Sequence, residues 1–331
     1  MTNIINPNPS LPSSQRSDSV DAERALNTSD TNLLRSLTFE ISSVANHVGD
    51  QMMRSQLRPH GTQAMQEQPG AAFTTGMSDN IMSMLRAEVS AIDPLSGFWE
   101  DGGVDLTPGN RYWSLCPLDG TINYMRNLSE WTLTIAILEV NESRQVYPVL
   151  GVVYAPALGL MYLAARGEGA IRVRHSPQGD EKREAVIPSA TKTLRGSVVC
   201  FGMSYFPEES KLALRTAASI AGLPADIKRI GPASLDLCKV ADGTYDAYFE
   251  PALHSWDVPA VAAATVVVWE AQGTLERWDG EQIAWNNDND VLATNGVLRD
   301  EILGYLRTAA ASGHEPGDHA GSAAGTEACP A

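Results

Sequence analysis

Cys116-Pro117-Leu118-Asp119-Gly120-Thr121 places a carboxylate, a residue without a side chain and a hydroxyl side by side at the end of an apolar run. In one short loop, such a triplet can offer an oxygen to a cation, a bare N–H to a phosphate oxygen and an OH to a water molecule. Strand ends are where ligand sites are commonly built. Asp-Gly is also an ordinary turn dipeptide, so the loop acquires chemical meaning only in company. Glu100 and Asp101 in FWEDGG precede it; alone they read as a solvated pair. Asp257 in HSWDVPA stands before a long apolar run with Pro259 at its start, which makes it a helix N-cap. A capping carboxylate can still give an oxygen to a cation.

Taken together, Glu100, Asp119 and Asp257 with the Gly120-Thr121 cradle fit hydrolysis of a phosphate monoester. That reaction needs charge neutralised on the phosphate oxygens and an activated water, and Mg2+ ions held by carboxylates supply both. His254 invites an acid–base role, but a water activated by a metal needs no imidazole, so a structural histidine is expected. Cys238, between Leu237 and Lys239 in a helical pattern, is expected in the core.

The elements that must position these residues follow from patterning. The chain has 331 residues, 43% of them hydrophobic and 19% charged, which is enough to bury a large core. Residues 1–28 and 309–331 are Ser-, Asn-, Pro-, Gly- and Ala-rich and are expected to be disordered, leaving 29–308 as one folded domain. Leu33, Leu34, Leu37, Ile41, Val44, Val48 and Met52 recur at helical spacing. A second helix is expected from Ser78 or Asp79 to just before Pro94. YWSLC, LTIAILEV, VLGVVY and LMYLAA read as strands, as does YDAYFE, whereas GPASLDLCKVADG, PAVAAATVVVWEAQG and ILGYLRTAAA read as helices. The composite is an α/β (α+β) layered sandwich.

A formal net charge of −16 opposes nucleic acid and anionic lipid, because the field of the whole molecule has the wrong sign. A small phosphorylated substrate remains compatible if bound cations reverse the sign locally. Cys116, Cys200, Cys238 and Cys329 show no metal-ribbon or disulfide spacing. No basic start leads into an apolar run, and no uncharged stretch reaches the roughly 18 residues that span a bilayer. A cytoplasmic protein is the expectation.

The loop CPLDGTINY resembles the Asp-Pro-Ile/Leu-Asp-Gly-Thr-x-Asn signature of the inositol monophosphatases, and HSWDVPAVAAATVVVWEAQG resembles their second signature. PVLGVVYAPALGLMYLAARGEGA and GPASLDLCKVADGTYDAYFE resemble family stretches in the same order. The resemblance implies an alternating α-β-α-β-α sandwich of the inositol monophosphatase and fructose-bisphosphatase type. It also implies a homodimer and Mg2+- or Mn2+-dependent, lithium-sensitive hydrolysis of an inositol, sugar or nucleoside-type monophosphate. By the same resemblance, Glu100 holds a metal and orients water with Thr121, Asp119 and Asp257 hold a second metal, and the Leu118 carbonyl adds a ligand. Gly120 and Thr121 meet the phosphate, while Ala233 and Glu250 face the alcohol.

Four positions depart from the family pattern. Cys116 stands where the first signature has a metal-bridging Asp, and a thiolate is a soft ligand whereas Mg2+ prefers oxygen. The loop from Arg54 to Met77 contains no Lys. Gln272 replaces a Gly, and Trp99 replaces a small residue before Glu100. A second expectation is therefore a catalytically impaired relative that binds a phosphorylated ligand or a partner.

Overall fold

The computed structural model describes residues 16–56, 76–99, 105–175, 180–285 and 287–312. Glu100, Asp101 and most of the 54–77 loop lie outside the described residues, as does Cys329. Five layers alternate through the molecule. The outer layer pairs α1 (Arg16–Gln56) with α2 (Gly76–Ile92). Both are amphipathic, and the stripe of Leu34, Leu37, Ile41, Val48 and Met52 with Ile81, Leu85 and Val89 is buried. α1 begins at Arg16, inside the segment expected to be disordered, and the last helix continues to Ser312, past the expected boundary at 308.

The second layer is a seven-stranded sheet running in sequence order: β1 (Gly97–Phe98), β2 (Arg111–Asp119), β3 (Thr132–Val140), β4 (Val146–Ala155), β5 (Leu160–Ala165), β6 (Ala170–His175) and β7 (Glu181–Ala185). All its pairings are antiparallel except β1 with β2. The near-continuous apolar runs of β3, β4 and β5 follow from cover on both faces. On one face lie α1 and α2. On the other is the central layer, α5 (Ala233–Ala241) and α6 (Val258–Glu270).

The fourth layer is a five-stranded sheet of β8 (Val198–Phe201), β9 (Asp226–Lys228), β10 (Ala247–Leu253), β11 (Thr274–Glu276) and β12 (Asn289–Thr294), in the order β11-β12-β10-β8-β9. Its outer face is covered by α4 (Pro207–Ser219) and α7 (Arg299–Ser312) through Ala213, Ala217, Ile302, Leu303 and Leu306. α3 (Thr121–Met125) is the short helix that follows β2.

Helix α6 is apolar on every side because both sheets press on it. Its alanines allow the close approach that Gly151 on β4 completes: a Cβ at 151 would overlap the Ala263 carbonyl. Cys238 is fully buried, as its pattern predicted. Among the described residues no helix is long and apolar enough to cross a membrane.

Candidate active site

Strands β8 and β10 pair in parallel up to Phe201 and Phe249, so the residues that follow, Gly202–Phe206 and the carboxyl-terminal part of β10 with His254, lie on the same side. There they face the end of β2 and the first turns of α3, α5 and α6 across a cleft of about 610 Å3. A crevice outside the carboxyl ends of parallel strands is the usual place for a ligand. Cys116, Leu118, Asp119, Gly120, Thr121, Ala233, Glu250 and Asp257 all line it. Residues from both signatures thus converge, together with the pair expected to face the alcohol.

Asp119 ends β2 beyond an irregularity in its register with β3, between Cys116 and Asp119. The following Gly120 has φ of +83°, and a Cβ there would come within 3.1 Å of the Glu130 carbonyl. Only glycine meets both conditions without strain. Asn123 secures the turn by donating to the Glu130 carbonyl at 2.6 Å and the Ile230 carbonyl at 3.3 Å. Asp119 Oδ2 accepts from the Ser234 hydroxyl at 2.6 Å and the Ser234 N–H at 3.1 Å, at the start of α5. Ser234 Oγ also pairs with Thr132 Oγ1 at 2.7 Å, so β3, α5 and β2 fix one carboxylate jointly. Burial still pushes Asp119 above the usual carboxylate range, outweighing the Ser234 and Gly120 hydrogen bonds.

Asp257 immediately precedes α6, yet its side chain makes no hydrogen bond to that helix. Asp257 Oδ2 accepts from the His254 N–H at 3.2 Å. Asp257 holds the expected N-cap position of α6 but does not make the side-chain capping bond. Residues Ser255–Asp257 form a 3-10 turn and Asp257 is already helical, at φ −85° and ψ −12°, so its carboxylate closes that turn and the turn leads into α6. Burial and repulsion from Asp119 push Asp257 up to about 6. Glu250 accepts from the Tyr248 hydroxyl at 2.7 Å and is pushed up to about 8, by burial first and then by Asp257 and Asp119. Burial, then the charges of Asp119 and Asp257, push the Cys116 thiol upward as well, so it remains an SH group. His254 is pinned between Glu209 at 3.0 Å and Asp288 at 3.4 Å, which is the structural role expected of it.

Two buried acids, each held above the usual carboxylate range by burial and one of them further by the other's charge, suit a bound cation. The oxygens of Asp119, Asp257 and the Leu118 carbonyl are hard donors of the kind that Mg2+ or Mn2+ takes. Cys116 as a neutral thiol is not such a donor. Among the described residues no three His, Cys, Asp or Glu side chains form a group that could hold a metal, and Glu100, the expected third carboxylate, lies outside them.

The sequence reading did not find Ser234, Tyr248, Arg229 or Asp236. Arg229 is the one Lys or Arg lining the cleft among the described residues. Asp236 is buried, accepts from the Gly231 N–H at 3.0 Å and thereby holds the Gly231-Pro232 segment beside Gly120. Trp99 packs edge-on against Tyr112, 6.3 Å between centroids, and is not among the residues lining the cleft.

A family model described as the inositol monophosphatase family matches residues 40–311. The Nus factor SuhB of Haemophilus influenzae is 32% identical over 211 residues, 63% of this chain and 72% of that one. The histidinol-phosphatase of Mycobacterium tuberculosis is 34% identical over 209 residues, 62% of this chain and 74% of that one. An inositol monophosphatase structure from Anabaena superposes with a TM-score of 0.66 at 22% identity, covering 84% of this chain and 97% of that one.

Proposed function

Because this chain belongs to the inositol monophosphatase family, and is by that membership a phosphoric monoester hydrolase, we propose that it cleaves a small inositol, sugar or nucleoside-type monophosphate with Mg2+ or Mn2+. The observation that carries the reading is the meeting of Asp119 and Asp257 with the Gly120-Thr121 turn in one cleft. Asp119, Asp257 and the Leu118 carbonyl would hold the cation, and Glu100 is proposed as the further ligand. When bound, the cation supplies charge neutralisation for the phosphate oxygens and a more acidic water.

The chain's own groups do the remaining work. The turn at Gly120-Thr121 would accommodate phosphate oxygens beside a residue without a side chain, and the Thr121 hydroxyl, which lines the same cleft, would orient the attacking water. Ser234 and Thr132 keep Asp119 aimed. Glu250, retaining its proton near neutral pH, can both donate to and accept from the alcohol, with Ala233 leaving room beside it. A homodimer in the cytoplasm completes the proposal.

Cys116 supports a second reading, a relative that binds a phosphorylated ligand without turning it over, since a neutral thiol stands where an acid would bridge metals. Phosphate release from a panel of monophosphates, with Mg2+ or Mn2+, separates the two. The first reading expects cation-dependent release from the native protein and a loss of at least a hundred-fold in Asp119→Asn. Silence in the native protein with release from Cys116→Asp would establish the second. Undiminished release by Asp119→Asn would sink the mechanism.

A further inference from the structure

Gln56 is the last residue of α1 and is only 7% exposed, an unusual place for a carboxamide. Its Nε2 donates to the Leu128 carbonyl at 3.1 Å and to the Tyr124 carbonyl at 3.3 Å. Tyr124 answers across the same contact, its hydroxyl donating to the Met52 carbonyl in the last turn of α1 at 3.0 Å. The Tyr124 ring is buried and lies edge-on to the buried Trp131, 5.0 Å between centroids. The end of the outer helix layer and the turn after β2 are thus joined by three hydrogen bonds, two of them buried.

What this lock holds is α3, whose first residue is Thr121. Five residues are too few to keep a helical direction unaided, so the direction of α3 is imposed by its neighbours. Asn123 ties it on one side to the Glu130 and Ile230 carbonyls, and Gln56 and Tyr124 tie it on the other to α1. The Tyr124 N–H donates to the Gly120 carbonyl at 3.0 Å, so a rotation of α3 turns Gly120-Thr121 with it. Asp119 is anchored separately, through Ser234.

We propose that Gln56 is a positioning residue for the hydrolysis, with Tyr124 as its partner, acting through α3 to set the angle at which the Thr121 hydroxyl meets the attacking water. The proposal rests on the phosphatase reading above and extends its machinery to the outer helix layer. Gln56 touches neither substrate nor cation in this account. Its effect belongs to the turnover step and not to metal binding.

The test uses Gln56→Met, unbranched and without a donor, and Tyr124→Phe, which loses only the hydroxyl. With the best monophosphate of the panel above, Gln56→Met should lose about ten-fold in kcat, the lower end of what positioning partners carry, and Tyr124→Phe should fall in the same direction. Half-saturating Mg2+ should not move in either. In a Thr121→Ala background, Gln56→Met should cost less than about two-fold, because residues that act through one another are not additive. Undiminished kcat in Gln56→Met, a Mg2+ titration that shifts with it, or equal losses in the two backgrounds would overturn the proposal. If Gln56→Met does not fold, Tyr124→Phe carries the same cycle. If the native protein releases no phosphate, the phosphatase reading fails by itself, and hydrogen exchange of the 121–128 amides decides on the lock, as it does if Thr121→Ala is silent. Exchange about ten-fold faster in the variant, with the amides of β3 unchanged, sustains it; exchange that is unchanged, or faster in both segments, refutes it.

Discussion

Asp119 takes both of its hydrogen bonds to α5 from a single residue, Ser234, which is 115 positions away in the chain. Ser234→Ala removes the shorter bond and leaves Thr132 Oγ1 without its partner, freeing the carboxylate to turn. Positioning partners of metal-ligating carboxylates typically carry ten- to hundred-fold in metal affinity or activity. A loss of about that size in kcat/KM, with a rightward shift of the Mg2+ titration, is expected; an unchanged titration would remove Ser234 from the site. Gln272 has φ of +70°, at the position where the family resemblance expects Gly. A non-glycine residue pays about 1–2 kcal/mol in this conformation, so Gln272→Gly should raise stability by about 1 kcal/mol in denaturant unfolding. The sequence made Asp119, Gly120, Thr121 and Asp257 legible because each sits in a contiguous motif. Ser234 was not legible, since nothing local shows that a hydroxyl in ASLDL reaches a carboxylate at the end of β2, and Tyr248 was not, since the strand pattern of AYFEP does not show its hydroxyl turning to Glu250 two residues on.

At the scale of elements, the site depends on how closely α6 lies on the larger sheet. Thr134 Oγ1 on β3 donates to the Pro259 carbonyl at 2.7 Å, anchoring the first turn of α6. Gly151 on β4 admits the Ala263 backbone farther along. Gly151→Ala would set a methyl against a carbonyl that no rotamer change can move, and overpacking of that kind costs about 1–3 kcal/mol. A lower guanidinium midpoint is expected together with reduced turnover, because α6 must shift and Asp257 leads directly into it. Retention of both would mean that the layers slide more freely than their contact suggests. Long apolar runs made β3, β4, β5 and α6 readable from sequence. Helix α4 went unread because its only strong signals are Pro207 at the first position and Glu208 and Glu209 in the first turn, with a weakly apolar face behind them. The four residues of β8 are too few for periodicity to speak.

For the molecule as a whole, acidity acts with opposite signs in two places. Glu139 and Asp30 are half-buried or better between Arg111 and Arg166, and although burial opposes ionisation, these guanidiniums hold both carboxyls below the usual range. Acids with depressed pKa stabilise the native state above their unfolded values, and that contribution is lost as pH falls through the folded ones. This network therefore sets an acid limit below about pH 4. Glu250 works the other way. Its folded value of about 8 lies above the ordinary 4.5, so between those values the native state keeps a proton that the unfolded chain has released. Stability contributed by that proton declines steadily as pH rises from about 4.5 to 8. In a chain with net charge −16, self-repulsion adds to the decline. Thermal unfolding without divalent cations should consequently show a melting temperature that drops between pH 5 and 8. Glu250→Gln should flatten the drop while leaving the loss below pH 4 in place, because the carboxamide keeps an acceptor for Tyr248 and has no proton to release. A slope identical in native protein and variant would show that Glu250 ionises normally, and its assigned role as a proton-bearing partner of the substrate alcohol would fall with it.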